Sequence, residues 1–360
     1  MGDPVAPSPQ RGGRGKGARK KGPNRRKSAD AAISAGASRG TSAQEAPKFT
    51  QENRFGDNGR GGWLGRTAYA ALDLGTNNCR LLIARASHDG FTVVDAFSRV
   101  VRLGEGLATT GKMSDEAMDR AIEALSVCAD KLKRRNVILA RSVATEACRQ
   151  ALNGTQFIER VKQETGIMLD VISPKEEARL AVMGCHALLE PGDGPALIFD
   201  IGGGSTELVL VSTDGIVPEI LDWASVPWGV VSLTESEPIE GEGEAALADV
   251  YGRMRKKVYD AFAEFAARLP VGQGDHRLLG TSGTVTTLAS VYLKLQSYDR
   301  KQIDGLHVPT AAMREISQTL AALSPEGRAK FPTIGHERSD LVVAGCAILE
   351  TIIDIWPGER

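Results

Sequence analysis

The sequence predicts an α/β protein made of two copies of one domain facing each other across a cleft. Three observations predict it. An apolar strand ending in Asp-apolar-Gly, a short polar turn and a second apolar strand occur at Leu72 and again at Phe199. Strand-rich and helix-rich stretches follow each copy, as in layered α/β domains. The chain of 360 residues is also longer than one core ordinarily serves.

Composition divides the chain before any element is assigned. Residues 1–66 carry 14 Lys/Arg against 5 Asp/Glu, whereas the other 294 carry 30 against 40. The leading segment is Gly, Ser, Pro, Ala, Lys and Arg with little to bury, so it is expected to stay disordered. Its cluster from Arg11 to Lys27 reads as a solubility tail or as a weak tether for a polyanion, RNA or polyphosphate. An Arg/Ser-rich, acid-poor leader has the composition of an organelle transit peptide as well. The mildly acidic remainder argues against a dedicated nucleic-acid-binding body.

Order is expected from Thr67. Ala68–Asp73 reads as a strand, Cys79–Ala86 as a second, and Phe91–Val101 as a third after the Asp89-Gly90 turn. Ser114 caps a helix whose apolar positions Met118, Ile122, Leu125, Ala129 and Leu132 step by four and three. A strand (Val137–Thr145), a helix (Phe157–Thr165, stopped by Gly166) and a strand (Ile167–Ile172) follow, then a helix opened by Pro174. The plan then restarts: strands at Ala196–Asp200 and Thr206–Ser212, the Asp214-Gly215 turn and a third strand. Leu278–Thr284 runs from a strand into a helix over Val285–Leu295. The last apolar run, Leu341–Ile353, is interrupted by Glu350 and reads as a buried helix. The copies lie 127 residues apart, so the chain is an internal duplication. The divisions are a tail over 1–66, a first domain over 67–175 and a second over 176–340. The helix at about 341–356 is a candidate to pack back on the first domain.

The repeated turns carry the chemistry. Asp73-Leu-Gly75-Thr76-Asn77-Asn78 and Asp200-Ile-Gly202-Gly203-Gly204-Ser205 have small residues that let backbone N–H groups converge on an anion. Gly280, Ser282 and Gly283 form a third loop, at a helix N-terminus. Asp200 and Glu207 flank the second turn and can share one hard cation. Glu176 and Glu177 open a helix, and one of them can reach the cleft as a general base. Arg149, with Thr145 and Asn153 after a strand end, is a candidate phosphate clamp. His88, His186, His276, His307 and His336 form no local pair, and Cys79 reads as small packing in the loop. The five cysteines have no metal-ligand spacing, which points to a reducing cytoplasm. There is no Walker A sequence and no 18-residue apolar run, so neither a P-loop enzyme nor a membrane span is expected.

Taken together, Asp73-Leu-Gly-Thr-Asn-Asn-Cys-Arg-Leu81, Val143-Ala-Thr-Glu-Ala-Cys-Arg-Gln-Ala-Leu-Asn153, Ile172-Ser-Pro-Lys-Glu-Glu-Ala-Arg-Leu180, Phe199-Asp-Ile-Gly-Gly-Gly-Ser-Thr-Glu-Leu208 and Gly280-Thr-Ser-Gly-Thr284 resemble the exopolyphosphatase/guanosine pentaphosphate phosphatase (Ppx/GppA) family. That family lies within the actin, Hsp70 and sugar kinase superfamily. The resemblance runs from Thr67 to the C-terminus and implies two duplicated ribonuclease H-like (actin-like ATPase) domains with an interdomain active site. It implies Glu177 as the base that activates water, and Asp200 and Glu207, with Asp73, as ligands of Mg²⁺ or Mn²⁺. It implies Gly75–Asn78 and Gly202–Ser205 as phosphate loops and Arg149 as a substrate contact. The family's usual Gly-Ser-Asn-Ser is Gly75-Thr-Asn-Asn78 here, so Asn78 puts an amide where a hydroxyl stands. Longer relatives carry a further helical domain, so processive handling of very long chains is not expected. A homodimer is expected. The implied activity is release of terminal orthophosphate from polyphosphate. The same residues also suit a guanosine pentaphosphate phosphatase, a kinase or ATPase of the superfamily, or a protein that only binds polyanions.

Overall fold

Alternation of buried and open positions builds the first sheet. Strand β1 (Ala68–Leu74) buries Ala68, Leu72 and Leu74, and β2 (Asn78–Ser87) buries Cys79, Leu81 and Ile83. β2 pairs antiparallel with β1 and with β3 (Gly90–Val100), while β4 (Val137–Ala144) runs parallel to β1. The order is β3-β2-β1-β4-β5, the last being the two-residue strand Asp170–Val171. The structure is a computed structural model describing residues 67–360 except 89, 216, 217, 271, 273 and 274. The tail and its expected disorder fall outside the described residues, as does Asp89 of the first hairpin turn.

The expected fifth strand shortens to β5 (Asp170–Val171), which pairs with Val143 and Ala144 alone. Its flanking residues Ile167, Leu169 and Ile172 are buried, so burial holds this segment where a ladder does not. Between the strands come α1 (Leu107–Thr110), α2 (Asp115–Arg134), α3 (Glu146–Gln150) and α4 (Gly154–Thr165). α2 starts where Ser114 Oγ accepts the Ala117 N–H, with Asp115 and Glu116 in its first turn and Lys131, Lys133 and Arg134 in its last. Its Met118, Ala121, Ile122, Leu125 and Cys128 pack with Phe157 and Val161 of α4 against the sheet. Each fully buried Leu, Ile or Phe contributes about 1.5–3 kcal/mol.

The second lobe repeats the plan. β6 (Ala196–Ile201), β7 (Thr206–Ser212), β8 (Glu219–Val226) and β9 (Arg277–Thr281) form a sheet ordered β8-β7-β6-β9, with the same directions as the first four strands. β6 is covered on both faces and therefore reads as a continuous apolar run. On one face lies α5 (Pro174–Cys185), through Ala178, Val182 and Cys185. On the other lie α7 (Gly243–Ala266), α8 (Ser282–Tyr292), α10 (Thr310–Ala322) and α13 (Val342–Ile355). Short helices α6 (Val230–Ser236), α9 (Arg300–Ile303), α11 (Pro325–Ala329) and α12 (Gly335–Arg338) complete the lobe.

The last helix does not pack back on the first domain. Every residue of α13 but Asp354 is buried, and it sits in the second lobe among α7, α8, α10 and β6. A helix apolar on all sides needs partners on all sides, and that environment supplies them. The described residues belong to one compact unit, and polar bonds join its lobes. Glu235 Oε1 accepts the Gly106 N–H at 2.8 Å, and Arg102 donates to the Glu337 carbonyl at 3.0 Å.

Candidate active site

Both sheets end their first strand in the same turn. The Gly75 N–H donates to the Asn78 carbonyl at 2.9 Å, and the Gly202 N–H to the Ser205 carbonyl at 3.0 Å. The first loop is held from behind: Gly104 N–H bonds the Thr76 carbonyl, and the Val101 and Arg102 N–H groups bond that of Asn77. The two loops abut. A Cβ on Gly203 would lie 3.0 Å from Asn77 N, and one on Gly204 2.6 Å from Thr76 Oγ1. Small residues are thus required by closeness of the lobes. Thr76 Oγ1, Asn77 Oδ1 and Asp200 Oδ1 are shut off from solvent without a hydrogen-bond partner among the described residues. Native structures pair most such groups, with ordered water or a bound ion where the protein supplies no partner.

Strand register places the carboxylates. Asp73 stands opposite Arg80 in the first sheet, and Asp200 opposite Glu207 in the second. Directly opposed residues share a face, so the duplication presents Asp with Arg in one lobe and Asp with Glu in the other. Burial pushes the Asp73 carboxyl up, with Arg80 opposing and Asp200 adding to the rise. Burial also raises Asp200, against Arg80 and the Thr281 and Ser282 hydroxyls. Glu207 is deeply buried and accepts the Ser225 hydroxyl at 2.8 Å; burial, then Glu177 and Asp200, raise its carboxyl.

Adjacent helical residues point about 100° apart, and that separates the glutamate pair at the start of α5. Ser173 Oγ caps this helix by accepting the Glu176 N–H. Glu176 turns to the surface, where Arg179 and Arg141 hold its carboxyl down at about 2. Glu177 turns into the cleft. Burial raises it to about 7, with Asp200 and Asp73 adding and Arg149 opposing. Arg149, on α3, donates to Glu177 Oε2 at 2.9 Å and to the Ile172 carbonyl at 2.6 Å.

One cleft collects Asp73, Gly75, Thr76, Asn77, Asn78, Glu177, Asp200, Gly202, Gly203, Gly204, Ser205 and Ser282. Arg149 reaches it through Glu177. Gly283 lines the adjoining cavity, which Arg338 also lines. Gly280 does not join them. A Cβ there would lie 2.5 Å from the Phe199 ring, so this glycine serves strand packing. Ser282 takes φ +83°, an uncommon angle for a side-chain-bearing residue, and its hydroxyl bonds the Ile201 carbonyl at 2.7 Å. Asn153 turns away to bracket Met113, accepting its N–H and donating to its carbonyl. Cys79 Sγ packs 4.0 Å from Cys128 Sγ.

Two cleft residues escaped the reading of the sequence. Arg80 stands 127 residues before Glu207, so the repeat offset alone marks it. Glu146 lies within the Val143–Asn153 motif and is buried beside Gly204, which only folding shows. Among the described residues no three Asp, Glu, His or Cys side chains gather tightly enough to chelate a cation unaided. No helix among them is long and apolar enough to cross a membrane.

The Ppx/GppA phosphatase family profile matches residues 82–359. The chain belongs to the Ppx/GppA phosphatase family. It is 31% identical over 304 residues to Exopolyphosphatase 2 of Mycobacterium tuberculosis, covering 79% of this chain and 90% of that protein. A crystal structure of the Aquifex aeolicus Ppx/GppA member superposes with a TM-score of 0.65 at 27% identity, over 81% of this chain and 92% of that one. A Cytophaga hutchinsonii exopolyphosphatase structure shares the fold, with a TM-score of 0.68 at 24% identity over 80% and 91%. The chain thus shares the fold of the Ppx/GppA member, with the duplication that its repeats imply.

Proposed function

We propose that this Ppx/GppA member is an exopolyphosphatase that releases terminal orthophosphate from inorganic polyphosphate. The observation that carries the reading is the pair of facing glycine loops with Glu177 entering the same cleft from a third element. The 31% identity to a protein named an exopolyphosphatase supports it. The terminal phosphoryl group lies between Thr76–Asn78 and Gly202–Ser205, bound by backbone N–H groups and flanked by Arg80 and Arg149. Glu177 Oε accepts a proton from a water aligned with the scissile P–O bond, and the shortened chain leaves with its negative charge. A base raised towards neutrality suits this step, and positioning with electrostatics supplies most of the rate.

A hard divalent cation, Mg²⁺ or Mn²⁺, fits the oxygen-only donors and the unpaired Asp200 Oδ1. Asp200 and Glu207, with Asp73, do not close into a three-carboxylate cage and would hold it only together with water and phosphate oxygens. When bound, it supplies charge neutralisation on the phosphate. Five buried free thiols support a reducing, cytoplasmic setting. A homodimer and a polyanion tether in the basic tail belong to the same reading. Sedimentation and deletion of residues 1–60 test them, the deletion being expected to weaken the salt dependence of substrate binding.

The deciding experiment is initial phosphate release, with Mg²⁺, from long-chain polyphosphate and guanosine pentaphosphate side by side. Preference for polyphosphate is expected. Preference for the nucleotide makes the protein a guanosine pentaphosphate phosphatase, and release from neither ends the catalytic reading.

A further inference from the structure

We propose that Glu146 is a positioning residue for this reaction, holding the Arg149 guanidinium away from full pairing with Glu177 and open to the incoming phosphate. This rests on the hydrolase reading above. Arg149 presents Nε at 2.9 Å and one terminal nitrogen at 2.5 Å to Glu146 Oε2, and that same nitrogen reaches Glu177 Oε2 at 2.9 Å. The other terminal nitrogen is spent on the Ile172 carbonyl. One guanidinium is therefore divided between two carboxylates, and Glu146 takes the larger part.

Glu146 is built to stay in place. It is 9% exposed, its second oxygen accepts the Gln150 side-chain amide, and its Cβ and Cγ lie where a Cβ on Gly204 would touch them. It sits on α3 of the first lobe, while Glu177 rides on α5 against the second sheet. Arginine favours two-pronged pairing with a carboxylate. Without Glu146, Arg149 is free to turn its two terminal nitrogens onto Glu177, which would leave Nε–H without an acceptor, neutralise the base and withdraw the cation from the phosphate.

Glu146→Met keeps the length of the side chain and removes its acceptors. Steady-state phosphate release is expected to show kcat reduced about tenfold or more, as displacement of an aligned group does, with KM raised by a smaller factor because one cationic contact to the phosphate is lost. In an Arg149→Met background the same change is expected to add nothing, because Glu146 acts through Arg149. Separately, ¹⁵N-arginine spectra, assigned with Arg149→Met, are expected to show the Arg149 Nε–H protected from exchange in the wild type and exposed in Glu146→Met. Unchanged kcat, an additive loss in the double variant, or unaltered Nε–H protection would each overturn the assignment. A wild type that releases no phosphate while the Nε–H still loses protection would sink the hydrolase reading and leave the positioning contact standing.

Discussion

Replacing Gly204 by alanine asks whether the two loops act as one clamp. Gly204 has no left-handed backbone angle, so the change acts through space alone. Its methyl would sit 2.6 Å from Thr76 Oγ1 and 3.1 Å from Glu146 Cγ, the first about 0.8 Å inside an ordinary contact. Neither neighbour yields readily. The Thr76 carbonyl is bonded to Gly104, the Asn77 carbonyl to Val101 and Arg102, and Glu146 is tied to Arg149 and Gln150. The strain therefore passes into separation of the lobes. Overpacking of this kind costs about 1–3 kcal/mol. At about 1.36 kcal/mol per tenfold, kcat/KM for polyphosphate is expected to fall roughly 5- to 150-fold. Phosphate release with Mg²⁺ measures that loss, and calorimetry is expected to find Tm changed by only a few degrees, since each lobe keeps its core. A kcat/KM within twofold of wild type would refute the reasoning, because the loops would then not close on one phosphate.

The two neighbouring glutamates give a paired comparison. Glu177→Gln is expected to lower kcat about 10²–10⁴-fold with substrate binding retained, while Glu176→Gln, whose partners Arg141 and Arg179 are at the surface, stays near wild type in turnover. Equal turnover in both variants would place the base elsewhere. Asp73, Glu177, Asp200 and Glu207 all have raised carboxyls, so above the unfolded values near 4 the native state binds more protons than the unfolded chain. Their contribution to stability therefore falls as pH rises from about 4 towards 8. Tm in chelator is expected to decline from about pH 5 to 8, and Mg²⁺ to restore more of it at the upper end; a Tm indifferent to Mg²⁺ counts against the cation site. Asp95 has the opposite sign. Its bonds to Lys131 and Arg135 lower its carboxyl to about 2, so this stabilisation is complete above about 4 and is lost as pH falls through about 2. Urea unfolding of Asp95→Asn is expected to show a deficit at pH 7 that shrinks between about pH 4 and 2; a deficit constant with pH would assign it to packing.

The sequence by itself determined the duplication and the two glycine turns. Asp-apolar-Gly at the end of an apolar strand is a local pattern, and its recurrence 127 residues on requires no knowledge of packing. Leu341–Ile353 likewise declared itself a buried helix through composition alone. What covers that helix was not legible: an all-apolar surface accepts any apolar partner, and only the assembled second lobe chose α7, α8 and α10. Gly280 looked like the loop glycines because a glycine required by the facing loop and one required by the Phe199 ring are the same letter. Helix position alone left Glu176 and Glu177 open and the resemblance implied Glu177; in the fold, rotation about the helix sends Glu176 to Arg141 and Glu177 to the cleft. The division of Arg149 between Glu146 and Glu177 joins elements from both lobes, and a contact of that kind exists only once the chain has closed on itself.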